Sequence, residues 1–185
     1  MRCLTRMLPA ALLCAALAPA AHAAPPDASL TGIEAMTSTV MQEGQSSFSG
    51  VALRMRVQSP RFVEGIEFMP TVEYWRNANS IQPFGIKTVR KDATLAADVR
   101  YAFRSTGIRP YVGAGYGLHF LASSVDAPSL GLNNASHALV KGGLEALGGA
   151  SFVVTGRFEN FIELKYQHVP DYRQLKLNWG LTYKL

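Results

Sequence analysis

The stretch Gln174–Leu185, QLKLNWGLTYKL, alternates without a break. Leu175, Leu177, Trp179, Leu181, Tyr183 and Leu185 share one parity; Lys176, Asn178, Gly180, Thr182 and Lys184 share the other. Alternation of this kind marks a β-strand with one apolar and one polar face. Chain ends usually fray, so so regular a pattern at the terminus points to a strand paired along its length. Working outward, the question is how many such strands there are and which way the apolar face points.

The pattern recurs upstream. SGVALRMRVQ sets Val51, Leu53, Met55 and Val57 against Arg54, Arg56 and Gln58. GIEFMPTVEYW sets Ile66, Phe68, Val72 and Tyr74 against Glu67, Thr71 and Glu73. TLAADVRYAFR sets Leu95, Val99, Tyr101 and Phe103 against Asp98, Arg100 and Arg104, and RPYVGAGYGLHF sets Val112, Tyr116, Leu118 and Phe120 against Gly113, Gly115, Gly117 and His119. ALVKGGLEALGG carries Lys141, Gly143 and Glu145 on one face, and RFENFIELKYQHV places Phe158, Ile162, Leu164 and Tyr166 opposite Glu163, Lys165 and Gln167. A weaker stretch over about 30–41, LTGIEAMTSTVM, makes the eighth strand. The expectation is an all-β, eight-stranded antiparallel up-and-down transmembrane barrel. The segments 77–93 and 122–136, rich in Asn, Ser, Pro and Gly, read as long loops at one end, with short turns at the other. That asymmetry is usual in outer-membrane barrels. The loops carry no recognisable ligand motif, so their partner is left open.

The N-terminus supports export. Arg2 and Arg6 precede a Leu/Ala-rich run that ends in Ala21-His22-Ala23. This is the form of a secretory signal peptide over residues 1–23, cleaved to leave one domain over 24–185. Both cysteines, Cys3 and Cys14, lie inside the signal, so the mature domain has no disulfide to hold it. Removing Arg2 and Arg6 from 18 basic residues leaves 16 against 13 acidic ones, a net +3. That balance is too mild, and too unclustered, for a nucleic-acid binder.

Alternation alone fits two barrels, a soluble lipocalin-like calyx with its apolar face inside and a membrane barrel with that face outside. Tyr74, Tyr101, Tyr166, Trp179 and Tyr183 recur on the apolar face as an interfacial girdle would. The polar face offers Arg54, Arg56, Arg100, Arg104, Lys141, Lys165 and Lys176 against Glu67, Glu73, Asp98, Glu145 and Glu163. Charges of both signs can be buried when they are paired and hydrogen-bonded. An eight-stranded lumen is just wide enough to be filled by side chains. The expectation is therefore a lumen closed by an ion-pair network, with outer-membrane lipid and lipopolysaccharide as the surroundings.

RPYVGAGYGLHF after ADVRYAFRSTG, FIELKYQHV and the alternating final strand resemble the small outer-membrane β-barrel proteins of Gram-negative bacteria. These are the OmpA-type or opacity-type barrel domains, often called porin family. The resemblance spans the mature chain and implies insertion by the β-barrel assembly machinery, which reads the last strand. Here Trp179, Leu181, Tyr183 and Leu185 would be that signal, with Leu185 where an aromatic is usual.

Catalysis, metal and cofactor find little purchase. ELKYQHVPDY is similar to the lipid A deacylases, whose His is followed two residues later by a nucleophilic Ser. Here His168 is followed by Pro170, which has no hydroxyl to activate. His119 and His137 lack a third ligand, and GAGYG lies along a strand rather than opening a helix.

Overall fold

A computed structural model of the protein describes residues 27–81, 86–127, 132–170 and 172–185. The signal peptide read over residues 1–23 lies outside the described residues. The eight strands are β1 (Ser29–Gln42), β2 (Phe48–Gln58), β3 (Ile66–Ile81), β4 (Ile86–Ala102), β5 (Ile108–Ala127), β6 (Leu132–Thr155), β7 (Phe158–Val169) and β8 (Tyr172–Lys184). Each pairs antiparallel with the next, and β8 returns to β1 to close the barrel. The weakly patterned first stretch is the closing partner, with Ile33 opposite Tyr183, Thr37 opposite Trp179 and Met41 opposite Leu175. Closure removes both sheet edges, which explains why the terminal strand keeps its pattern to the end.

The alternation resolves with the apolar face outward. Ile162 and Trp179 are 52% and 60% exposed, while Glu34, Glu67, Asp98, Glu163 and Lys165 are all at 0%. A water-soluble calyx has the opposite arrangement, so the lipocalin-like alternative does not hold. Apolar side chains also enter the lumen, but as two small islands: Met69, Ala102, Tyr111 and Leu147 in one, Met36, Ala52 and Phe161 in the other.

The segments expected to be long loops are mostly paired strand. β3 and β4 stay in register up to Ile81 opposite Ile86, and β5 and β6 stay paired to Ala127 opposite Leu132, with one register shift after Val125. Period-2 hydrophobicity disappears there because both faces of a hairpin that rises above the barrel meet water, so no face needs apolar residues. The β1–β2 and β7–β8 connections at the same end are short. One side of the barrel mouth therefore stands as a four-stranded wall, β3 to β6, and the other side is low. At the opposite end the connections shorten from residues 59–65 between β2 and β3 to a tight turn between β6 and β7. Gly156 takes the left-handed conformation (φ 48°) in the two-residue turn between β6 and β7, which costs a glycine little.

Two backbone details shape the interior. Between Arg54↔Thr71 and Val57↔Phe68 the β2–β3 ladder is interrupted beside Pro70, which has no N–H to donate. Gly113, Gly115 and Gly117 make room for side chains from neighbouring strands. A Cβ at Gly117 would sit 2.6 Å from Glu145 Oε1, and one at Gly115 would meet Asp98 Oδ1 and lie 2.7 Å from the Ala97 carbonyl oxygen. Gly115 and Gly117 thus accommodate Asp98, Glu145 and His119, and Gly113 the base of Arg100. Gly115→Ala is expected to destabilise the barrel by about 1–3 kcal/mol, the usual cost of overpacking, measured by urea unfolding in detergent micelles. Gly148→Ala, whose Cβ would have no neighbour nearer than 3.8 Å, should leave the midpoint unchanged.

Candidate functional site

The polar parity of all eight strands converges on the lumen, and register decides which charges meet. Glu34 lies opposite Arg54 across β1–β2, and Glu67 opposite Arg100 across β3–β4. From these positions the long side chains reach across the barrel. Toward the end that carries the β6–β7 turn, Arg56 meets Glu34 at 2.8 Å and Glu159 at 3.1 Å, while Arg100 meets Glu67 at 2.6 Å and Glu34 at 3.0 Å. Arg109 and Lys184, both partly exposed, bond Glu67 and Glu159 from the rim.

The middle layer is built on a two-pronged bond. Arg54 Nη1 and Nη2 each donate to Glu163 at 2.8 Å, and Nη1 also reaches Glu34 at 3.3 Å. Paired guanidinium–carboxylate hydrogen bonds are among the strongest and most directional in proteins. Asn178 Nδ2 and the Tyr111 hydroxyl donate to the same Glu163 carboxylate, and the Arg100 guanidinium lies 4.5 Å above the Tyr111 ring. Above this, Lys165 Nζ contacts three carboxylates: Glu73 at 2.9 Å, Asp98 at 3.0 Å and Glu145 at 2.7 Å. Lys176 bonds Glu73 from the other side. Gln167 donates to Glu145 at 2.6 Å and accepts from Gln174 at 2.6 Å, which spreads the network to β8.

The uppermost layer centres on a histidine. His119 Nδ1 lies 2.9 Å from both Asp92 Oδ2 and Thr94 Oγ1, and the Tyr172 hydroxyl donates to Asp92 at 3.3 Å. Asp92 and Thr94 converge on one ring nitrogen, so the geometry is not that of a nucleophile–base–acid relay, which uses both nitrogens. His119 and His137 do not meet: His119 pairs with Lys141 and is buried, while His137 pairs with Ser123 and is exposed. Among the described residues no group of His, Cys, Asp and Glu has the arrangement to hold a metal ion.

Ten of the twelve charged residues expected in the lumen network lie buried in these layers: Arg54, Arg56, Glu67, Glu73, Asp98, Arg100, Glu145, Glu163, Lys165 and Lys176. Two do not. Arg104 follows the last residue of β4, in a turn, and forms a surface pair with Glu64. Its alternation with Arg100 ends where the strand ends. Lys141 has the inward parity but sits above the end of β7, where its Nζ donates to the Pro170 carbonyl at 3.2 Å. Glu34 and Glu159 were not anticipated, the first because it stands alone in the weak β1 pattern, the second because it is next to a turn. Asp92, Arg109 and Tyr111 also carry no local signal beyond parity.

On the outer face, Tyr74, Tyr101, Tyr166, Trp179 and Tyr183 are all exposed. Tyr183 contacts Phe158 at 5.3 Å between ring centroids, and Tyr101 contacts Phe103 at 5.0 Å. Trp179 stands further along β8, opposite Ile162. Leu181 and Leu185 share the exposed parity of Trp179 and Tyr183. His168 is exposed on the outer parity of β7, opposite Leu144 and Arg173, with Pro170 just beyond the strand.

No protein-family profile matches the chain, and no curated protein sequence matches it. Solved structures do. Neisserial surface protein A, NspA, superposes with a TM-score of 0.63 at 22% identity, over 85% of this chain and 99% of that one. Ail of Yersinia pestis, solved with the heparin analogue sucrose octasulfate, gives 0.59 at 16% identity over 85% and 98%. The N-terminal barrel of Pseudomonas aeruginosa OprF gives 0.56 at 12% over 84% and 98%. What the chain shares with these three is a fold: it is a small eight-stranded β-barrel of the outer-membrane type.

Proposed function

We propose that this chain is a non-enzymatic integral outer-membrane barrel with a filled lumen, whose outer end serves surface interaction. The observation that carries this reading is the inverted burial: carboxylates and cations at 0–4% exposure inside, and large apolar residues of the strands at 37–64% outside. Only a hydrocarbon surrounding makes that arrangement stable, because the outer apolar band then leaves water on folding. The alternating final strand, with Trp179, Leu181, Tyr183 and Leu185 on its outer face, suits it as the signal read by the assembly machinery.

The lumen chemistry argues against transport. Arg54, Arg100 and Lys165 are each tied to carboxylates from two or more strands, and Lys176 is held by Glu73, so a passing ion would have to break several charge-assisted bonds at once. Purified protein in a planar lipid bilayer is expected to show no steady conductance. A persistent open-channel current would overturn the filled-lumen reading. The interaction role rests on the outer end, where Arg76, Lys87, Arg90, Lys91 and Arg173 are exposed. A basic outer rim suits anionic saccharides, whether of lipopolysaccharide or of another surface. That Ail was solved with a heparin analogue is in keeping with this chemistry.

A further inference from the structure

At the foot of the β3–β6 wall lies a cavity of about 330 Å³. Register places its parts. The cross-strand row Trp75–Asp92–Leu121–Leu139 forms one level, and the row Asn77–Arg90–Ser123–His137 lies immediately above it on the same face of the wall. Gln42 from the end of β1 and Tyr172 from the start of β8 complete the cavity from the low side. Asn77 is fastened to the β1–β2 turn by a 2.9 Å bond from its Nδ2 to Gln45 Oε1, which holds the wall against that turn.

The chemistry of this cavity is one-sided. Arg90 and His137 are exposed residues of its lining, and among the described residues no carboxylate lines it. Asp92, in the row below Arg90, is fully buried, and its Oδ2 is engaged by His119 and Tyr172. Trp75 is 3% exposed, its ring tilted 49° against Phe48 with centroids 4.7 Å apart, and its Nε1–H has no hydrogen-bond partner among the described residues. Gln42 Oε1 is likewise buried without a partner there. Buried polar atoms are nearly always satisfied, so a donor on the wall and an acceptor on the low side, both in the lining of one cavity, point to something that the cavity receives. The volume is at the lower end of the range for small-molecule sites, about 300–1,000 Å³, which suits a single sugar unit.

We propose that this cavity binds one acidic saccharide residue, with its sulfate or carboxylate on Arg90, its ring against Trp75 and Tyr172, and its hydroxyls toward Gln42 and the indole N–H. Arginine is the side chain suited to this anion because its planar fork matches two oxygens. The proposal rests on the surface-interaction reading and locates it at one site. Saccharide of its own membrane and saccharide of a facing surface offer the same group, so the test uses a probe from each.

The chain has two tryptophans, Trp75 in the cavity wall and Trp179 facing outward. Trp179→Phe leaves Trp75 as the sole indole reporter. This variant, folded in nanodiscs, is titrated with a sulfated heparin disaccharide and separately with the carboxylated inner-core oligosaccharide of lipopolysaccharide. A saturable change in Trp75 emission is expected with one of them, and that probe identifies the source. Adding Arg90→Gln should weaken binding roughly tenfold to a hundredfold, the loss of a charge-assisted pair. Arg104→Gln, in the β4–β5 turn at the opposite end of the barrel, should leave it unchanged. Because Arg90 and Arg104 are exposed, neither change threatens folding, and far-UV circular dichroism checks this. Calorimetric binding that persists in Arg90→Gln but is lost in Lys87→Gln/Arg173→Gln would overturn the cavity while leaving the surface role intact. Absence of binding by either probe at millimolar concentration would overturn both.

Discussion

Replacing Lys165 with methionine is expected to lower the stability of the barrel by about 3–5 kcal/mol, the cost of stranding buried charge. Lys165 Nζ is the common partner of Glu73, Asp98 and Glu145, all buried and all within 3.0 Å. Lys176 and Gln167 also reach Glu73, and Gln167 bonds Glu145, but Asp98 loses its nearest cation altogether. The remaining charge within reach of Asp98 is Arg54 Nη2 at 4.0 Å, already engaged by Glu163. Urea unfolding in lipid or detergent reads the effect as a fall in midpoint with unchanged slope. A companion variant, Lys165→Met with Glu145→Gln and Asp98→Asn, removes the stranded carboxylates and should recover much of the loss. Were Lys165→Met as stable as the parent, the ion pairs would not be what organises the lumen.

Ile162→Arg tests the opposite face. Ile162 is 52% exposed, paired with Trp179, and halfway along β7 between the outward aromatics Phe158 and Tyr166. An arginine on the lipid face near the bilayer midplane costs about 2–4 kcal/mol in a barrel of this type. The same substitution on a water-facing strand stays within about 0.5 kcal/mol of neutral. The two outcomes do not overlap, so one unfolding experiment in lipid vesicles decides what surrounds the strands. A neutral result would mean that the exposed apolar belt faces something other than hydrocarbon.

The two substitutions also show which layers of the structure can be read without coordinates. The side of Ile162 and the side of Lys165 are visible in FIELKYQHV, because a strand sends successive side chains to opposite faces whatever it later pairs with. Arg104 marks where that reading stops. Its parity is right, but β4 ends at Ala102, and a parity argument has no term for the residue at which a strand gives way to a turn. Lys141 errs differently: it is on a strand and on the inward side, but above the rim of its neighbour. The tall β3–β6 wall was missed because hairpins with water on both faces have no hydrophobic period to detect.

The number of strands and the residues that share a face are legible in the sequence, since alternation is a local property repeated in every segment. The height of β3 to β6 and the closure of β8 on β1 are not. The partnerships were decided only in the tertiary structure. Arg54 finds Glu163 across 109 residues of chain, and Lys165 finds Glu73 across 92. Such pairs depend on the stagger between strands and on the reach of side chains across a closed lumen. The outer cavity depends on the same stagger, because only the folded barrel stands Arg90 and His137 in one row above Trp75.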